Sequence, residues 1–372
     1  MTKHFNRFLS ALFCLFLGGM LVLSCLLPDK AFSPLENRYL QKVPRFSLES
    51  LTNGDFMTEA EAYTSDHIVG RDFWVALKAW CERLSGKKEN NGTYLAAGDT
   101  LINRLDAPDM QALFKNMANL DKLVDNVDVP VYFGLIPSAA AIWADRLPVG
   151  APTADEKAII DQMYAATDAL TIDLWQGLSD HAGEDLYYRT DHHWTSLGAY
   201  YGYAAIMDAM GMTPVSLSDY EKTTVSEDFY GTIFSSSGVR WVAPDVIDIY
   251  VPGQNVTVTS YFDGTPTEGA LYVDRFLQEK DKYSYFLGGN QPLCVIETEH
   301  TDAPKVLVVR DSYTDSLAPF LTESFSEVHL FDLRYNRTSL KDYVAEHDID
   351  QVVVLYSISN FATDNNLFLL SR

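Results

Sequence analysis

Two short runs near the C-terminus, 305–310 (KVLVVR) and 351–356 (QVVVLY), are apolar along almost their whole length rather than at every second position, and a third, 327–332 (EVHLFD), sets Val328, Leu330 and Phe331 among polar residues. A strand with one wet face alternates, whereas a strand apolar throughout has both faces covered, as in a parallel sheet sandwiched between helices. Helix-like stretches beginning at Tyr313 and spanning 339–347 separate the three runs, supplying the crossovers that parallel pairing requires. Upstream, 129–137 (VPVYFGLIP) is a fourth such run. It is followed by an amphipathic stretch over 154–170, a short strand at 171–175 and a helix over 196–211 that stops at Gly211. The expected fold is α/β, a doubly wound parallel sheet over residues 106–372, with the Thr-, Tyr- and Gly-rich stretch 220–300 as an insertion.

The N-terminus is of another kind. Residues 8–27 (FLSALFCLFLGGMLVLSCLL) carry no charge, and as a helix of about 20 residues they would span about 30 Å, the thickness of a bilayer core. Lys3, His4 and Arg7 precede the run and acidic residues follow it, which puts the N-terminus in the cytoplasm and the remainder outside. The run is longer than a signal-peptide core and lacks a clean small-x-small cleavage site, so it reads as an uncleaved single-pass anchor. The chain thus divides into a stub and transmembrane anchor (1–27), a membrane-proximal lead-in (28–105) and the α/β domain (106–372). The lead-in holds a helix over 73–84 and a hairpin around Tyr94-Leu95-Ala96 and Leu101-Ile102.

Charge excludes several partners. Against 51 Asp and Glu stand 28 Lys and Arg, giving a formal charge of −23 with no basic stripe, so neither a nucleic acid nor an anionic lipid surface is an expected ligand. Cys14 and Cys25 lie in the apolar run, leaving Cys81 and Cys294. With no C-x-x-C pair, a zinc ribbon or thioredoxin-like site is set aside, and the two are read as buried thiols for which a disulfide is permitted but not demanded.

In an open parallel sheet reactive groups collect where strands end and helices begin, and Arg310-Asp311-Ser312-Tyr313 places a hydroxyl at such a junction. Asp and Ser are also preferred helix caps, so this dipeptide alone reads as a cap. Asp191-His192-His193-Trp194 changes the balance. In an extended segment Asp191 and His193 project to one side, so the carboxylate orients the imidazole and the far ring nitrogen faces a nucleophile, while His192 projects to the opposite side. Ser312, His193 and Asp191 would then act as nucleophile, base and orienting group.

Asp191-His192-His193-Trp194 resembles the signature of the DHHW family of bacterial exported proteins. That family is similar to the SGNH-like O-acetyltransferases of alginate and other cell-surface polymers, whose Asp-x-His-Trp and Asp-Ser-Phe or Asp-Ser-Tyr segments carry a Ser/His/Asp triad. Further segments carry the likeness: Glu36-Asn37-Arg38, Asp66 with Arg71-Asp72, 87–92 (KKENNG), 229–232 (FYGT) and 286–290 (FLGGN). The resemblance implies an SGNH-like fold with permuted motif order, since Asp-x-His here precedes the serine. It implies acetyl transfer to an extracytoplasmic polysaccharide through an acyl-enzyme, with a membrane-bound O-acyltransferase as donor partner and no cofactor. The Ser312 N–H is the first candidate for the oxyanion hole, with Gly231, Gly289 and Asn290 as second donors. Trp194, Tyr230 and Tyr313 are candidate sugar contacts.

Two other readings compete. A metal-dependent phosphoesterase could use Asp-His-His, but the other histidines form no Asp-x-Asp or His-x-His set. A non-catalytic binding or scaffold subunit would keep the fold and anchor without turnover, yet all three triad residues are present.

Overall fold

The computed structural model describes residues 2–372. It comprises two compact units, one made of residues up to Asn91 together with Phe234–Trp241, the other of Gly92–Ile233 and Val242–Arg372.

The first unit begins with the helix Thr2–Leu26. Among the described residues it is the one helix long and apolar enough to cross a membrane. Helices Asp55–His67 and Arg71–Leu84 follow. Glu36, Arg38, Asp66 and Arg71 form a cluster in which Arg38 reaches Glu36 (2.8 Å) and Asp66 (2.9 Å), and Arg71 also pairs with Glu36. The segments around these residues thus act as an ion-paired clasp. Asn90 donates its side-chain amide to the Ser237 carbonyl, and Trp241 lies on Trp80 with centroids 4.4 Å apart. Cys81 is exposed, contrary to its expected burial, because it sits on the solvent side of an amphipathic helix; Cys294 is buried, and both are free thiols.

The second unit is built on an eight-stranded sheet. In chain order its strands are β1 (Val131–Ile136), β2 (Leu170–Thr171), β3 (Val256–Ser260), β4 (Thr267–Glu268), β5 (Leu293–Thr298), β6 (Lys305–Arg310), β7 (Glu327–Phe331) and β8 (Gln351–Ser357). Their spatial order is β4-β3-β5-β7-β6-β8-β1-β2. From β7 to β2 every pairing is parallel; β5, β3 and β4 extend the sheet antiparallel beyond β7. The sheet is therefore mixed rather than all parallel. The stretch 220–300 supplies its antiparallel edge, besides the separate hairpin Glu221–Phe229 and Asp245–Val251.

Alternate side chains of the parallel strands enter two different cores. Val306, Val308, Val353 and Leu355 face the helices Ser196–Ala209 and Thr314–Leu321, while Leu307, Val309, Val352 and Val354 face Met110–Asn126 and Leu340–Glu346. Both faces are covered, which is why those strands read as continuous apolar runs. The amphipathic stretch folds as the shorter helix Glu156–Tyr164, and 174–175 open the helix Leu174–Ser179 instead of ending a strand, because Asp173 caps it. The C-terminal end of β6 thus delivers Ser312 to the sheet edge just before the helix Thr314–Leu321.

Candidate active site

Asp191, His193 and Ser312 form one hydrogen-bonded line. The Asp191 Oδ1 accepts from His193 Nδ1 at 2.6 Å, and His193 Nε2 lies 2.8 Å from Ser312 Oγ. With a proton on Nδ1, Nε2 is left as the acceptor facing the hydroxyl. Asp191 and His193 are buried, and Ser312 is partly exposed at the end of the line.

The local cause differs from the expected extended strand. Tyr187 and Trp194 form an isolated antiparallel bridge, and 189–193 bend between them. Asp191 Oδ1 also accepts the backbone N–H of His193 at 3.0 Å, an Asx-type turn that puts carboxylate and imidazole on one side without strand alternation. Consequently His192 is not on the opposite side: the two imidazoles lie together, with centroids 3.9 Å apart. Asp245 holds the loop from below, accepting from the backbone N–H groups of Arg189 and Thr190 at 2.9 and 2.8 Å.

Thr232 and Gly231 complete the carboxylate's surroundings. Thr232 donates both its N–H (2.7 Å) and its hydroxyl (2.9 Å) to Asp191 Oδ2. A Cβ at Gly231 would lie 2.2 Å from the Asp191 Cβ, so only glycine permits this approach. Burial alone would raise the Asp191 carboxyl, yet the two imidazoles and these hydrogen bonds hold it well below the usual carboxylate range. Burial, reinforced by His193, pushes His192 down to about 4.

Tyr283 is the group that reading the sequence missed. It is buried, its ring stacks on His193 at 3.8 Å and 8° from parallel, and its hydroxyl donates to the Ser312 carbonyl at 3.0 Å. It touches His193 and the Ser312 segment at once. No motif marks it among 21 tyrosines; its position just before the 286–290 segment is the one available signal.

The remaining expected residues sort as follows. Trp194 is 0% exposed and donates Nε1 to the Tyr313 carbonyl (2.9 Å), so it is a core anchor joining the two motif segments and not a sugar contact. Gly202 leaves room for its ring, since a Cβ there would fall 2.7 Å from it. Gly231 donates its N–H to Thr190 Oγ1 (3.1 Å), and Gly289 donates to the Phe286 carbonyl (3.2 Å) in a turn at φ +92°. Both N–H groups are engaged inside the protein, which removes them as oxyanion donors. Asn290 uses Oδ1 to accept from Arg334 (3.1 Å) and Arg310 (3.4 Å), leaving its NH2 as the candidate. Among the described residues, the Ser312 N–H donates to no protein acceptor. Tyr230 is half-buried, its carbonyl accepting from Lys280 (2.6 Å). Tyr313 is nearly buried, its hydroxyl donating to the His192 carbonyl, and its ring lines an adjacent cleft.

Asp191, His192 and His193 also bring ligand atoms within 4.8 Å of one another. Those atoms already serve one another, Thr232 and Ser312, with His192 Nδ1 2.7 Å from Thr232 Oγ1. A cation held there would have to break the whole relay, so the donor set fits a metal poorly.

A family model described as "DHHW protein" matches residues 100–331. Among solved structures, the chain is similar to a DHHW family protein from Eubacterium siraeum at 25% identity and a TM-score of 0.67, covering 76% of this chain and 95% of that one. It is also similar to Bacillus cereus PatB1 with a sulfonyl adduct, at 23% identity and a TM-score of 0.61, covering 75% and 98%. The PatB1 likeness is one of fold. No curated protein matches the sequence.

Proposed function

Because the chain belongs to the DHHW family, we propose that it is an O-acetyltransferase, or with water as acceptor an acetylesterase, acting on an extracytoplasmic polysaccharide through Ser312. The observation that carries this reading is the line from Asp191 through His193 to Ser312. The acetyl group comes from the likeness of the Asp191–Trp194 and Asp311–Tyr313 segments to those of polysaccharide O-acetyltransferases.

Ser312 Oγ attacks the donor carbonyl while His193 Nε2 takes its proton, and the oxyanion forms against the Ser312 N–H, with the Asn290 NH2 as second donor. Collapse breaks the bond to the donor's leaving group, which takes the proton back from His193 and leaves an acetyl-serine. A sugar hydroxyl then gives its proton to His193 and attacks the ester, and Ser312 Oγ recovers a proton as it departs. Asp191 stays ionised throughout and stabilises the imidazolium. In this reading the sheet is of the SGNH-hydrolase type with permuted motifs. Helix Thr2–Leu26 anchors the chain with its working unit outside, and a membrane-bound O-acyltransferase presents the acetyl donor.

The test is to incubate the full-length chain in detergent with an activated acetyl ester, following ester cleavage and intact mass. A burst with a single acetyl adduct, absent in Ser312→Ala and unchanged by a chelator, is the expected result. Folded wild-type protein that takes no adduct, alone or with the membrane partner, would favour a scaffold subunit instead, and loss of cleavage on chelation would revive the phosphoesterase.

A further inference from the structure

Asp191-His192-His193-Trp194 carries two imidazoles, and the proposed reaction uses one of them. The protons around Asp191 indicate what the other is for. An ionised carboxylate can only accept, so the single hydroxyl proton of Thr232, 2.9 Å from Asp191 Oδ2, is committed to that oxygen. Thr232 Oγ1 is left with lone pairs for His192 Nδ1, 2.7 Å away, and the proton of that contact belongs to the imidazole. The opposite assignment would set the lone pairs of Oγ1 against those of Oδ2. His192 is thereby held as the Nδ1–H tautomer with Nε2 bare, and burial, which pushes it down to about 4, keeps it uncharged at neutral pH.

The result is a continuous chain of donors. His192 Nδ1–H gives to Thr232 Oγ1 and Thr232 gives to Asp191 Oδ2, while His193 Nδ1–H gives to Asp191 Oδ1 with its Nε2 facing Ser312. Each oxygen of Asp191 is therefore tied to a different imidazole, one directly and one through a hydroxyl. Rotation of the carboxylate about Cβ–Cγ breaks both arms at once. Gly231 lets Thr232 come this close, since a Cβ there would lie 2.3 Å from Oδ2 itself. Donors onto Oδ2 also draw charge away from Oδ1, and so set how strongly Asp191 holds the His193 proton.

We propose that His192 is a positioning residue for the acyl transfer: acting through the Thr232 hydroxyl, it fixes the plane and the charge of Asp191, and thereby the aim and the basicity of His193. This deepens the acyl-transfer reading and rests on it.

Turnover of p-nitrophenyl acetate by the full-length chain in detergent, with melting curves to confirm folding, tests the proposal. Thr232→Val exchanges the hydroxyl for a methyl and keeps the backbone N–H on Oδ2, whereas His192→Ala removes the far donor. Each lowers kcat about five- to tenfold with KM for this small ester unchanged, and the double variant is no slower than Thr232→Val alone, because His192 works through that hydroxyl. Thr232→Ser recovers most of the loss, as does His192→Asn, whose amide N–H stands where the imidazole has Nδ1. In Thr232→Val and His192→Ala the acid limb of the kcat/KM profile moves to higher pH, since a carboxylate relieved of one donor offers more charge to the imidazole. Tyr283, Tyr313, Asp311 and Asp315 also bear on the two imidazoles, and all four stay in place. Nitrogen NMR of the histidine-labelled wild type shows a protonated Nδ1 and a bare Nε2 at His192, assigned by the signals lost in His192→Ala. Additive losses, a Thr232→Val rate equal to wild type, an unmoved acid limb or a protonated Nε2 would overturn the proposal. The Ser312 adduct is measured separately: a wild type that takes none sinks the acyl-transfer reading, while the His192 tautomer still decides the donor chain.

Discussion

Asp191 and Asp311 stand at opposite ends of the same site and are closely matched. Both are buried, at 2% and 0% exposure, and each accepts four hydrogen bonds. Asp191 takes two from His193 and two from Thr232; Asp311 takes the N–H of Tyr313, the N–H and hydroxyl of Ser357, and the amide of Asn360. The difference lies in one donor. His193 has a second nitrogen 2.8 Å from a hydroxyl, whereas no donor to Asp311 titrates near neutral pH. A buried, fully bonded aspartate thus ties a turn in place or, in the proposed reaction, orients an imidazole, according to what its partner can pass on. Asp311 is not the helix cap that its sequence suggested, since Tyr313 precedes Thr314–Leu321 without a side-chain cap; instead it closes the turn around Ser312 and ties it to the end of β8.

The sharpest break comes from removing the groups that only one of the two aspartates serves. Ser312→Ala or His193→Ala abolishes the acetyl adduct and lowers turnover by about a millionfold, read from burst and steady-state kinetics. Asp191→Asn, which supports the wrong imidazole tautomer, lowers kcat by about 10⁴-fold with the fold retained. Asp311→Asn does the reverse: it lowers stability by about 3 kcal/mol through weakened charged hydrogen bonds, while protein that stays folded keeps its nucleophile. Denaturation curves beside adduct formation separate the two, and an Asp311→Asn chain that is stable but inactive would erase the distinction.

Glu156 adds a third case, a buried carboxyl with neither imidazole nor cation. It accepts from the Ser138 N–H (2.6 Å) and hydroxyl (2.7 Å), and burial outweighs these bonds and raises it to about 7. Between about 4.5 and 7 the folded state holds a proton that the unfolded state has lost, so stability falls as pH rises through that window, by about 3 kcal/mol in all. Glu156→Gln keeps the contacts without the charge and removes this slope in melting experiments from pH 4.5 to 8. An unchanged slope would mean that Glu156 ionises as readily folded as unfolded.

How far these sites could be read from the sequence follows the range of the interactions. Apolar runs announced the parallel strands because burial on both faces leaves no polar position, and β1, β6 and β8 fall within a residue or two of those runs. The antiparallel edge was hidden in 220–300 because β3 is half-exposed and β4 has two residues, too short for any period. The spacing of Asp191 and His193 identified the pair, but for a geometry the chain does not use: an Asx turn depends on a backbone N–H, which leaves no hydrophobic periodicity. Thr232 lies 41 residues from the carboxylate it serves, so that nothing local links them; only its place in the 229–232 segment hinted at a role.

Tyr283 offers the finest test, because it touches the imidazole that distinguishes Asp191 and the backbone that Asp311 organises. Its ring face holds His193, and its hydroxyl holds the Ser312 carbonyl and lies 3.0 Å from Ser316 Oγ. Tyr283→Phe keeps the stack and gives up the hydrogen bonds, so kcat falls only about three- to tenfold, with KM unchanged because the ring is buried away from substrate. Tyr283→Leu removes the flat face as well, frees the imidazole to leave its line with Ser312, and lowers kcat by about a hundredfold, as small misplacements at a reacting centre do. If the two variants lose activity equally, the hydroxyl's hold on the nucleophile's backbone is the tyrosine's whole contribution; if only the leucine variant is impaired, Tyr283 acts through the histidine alone.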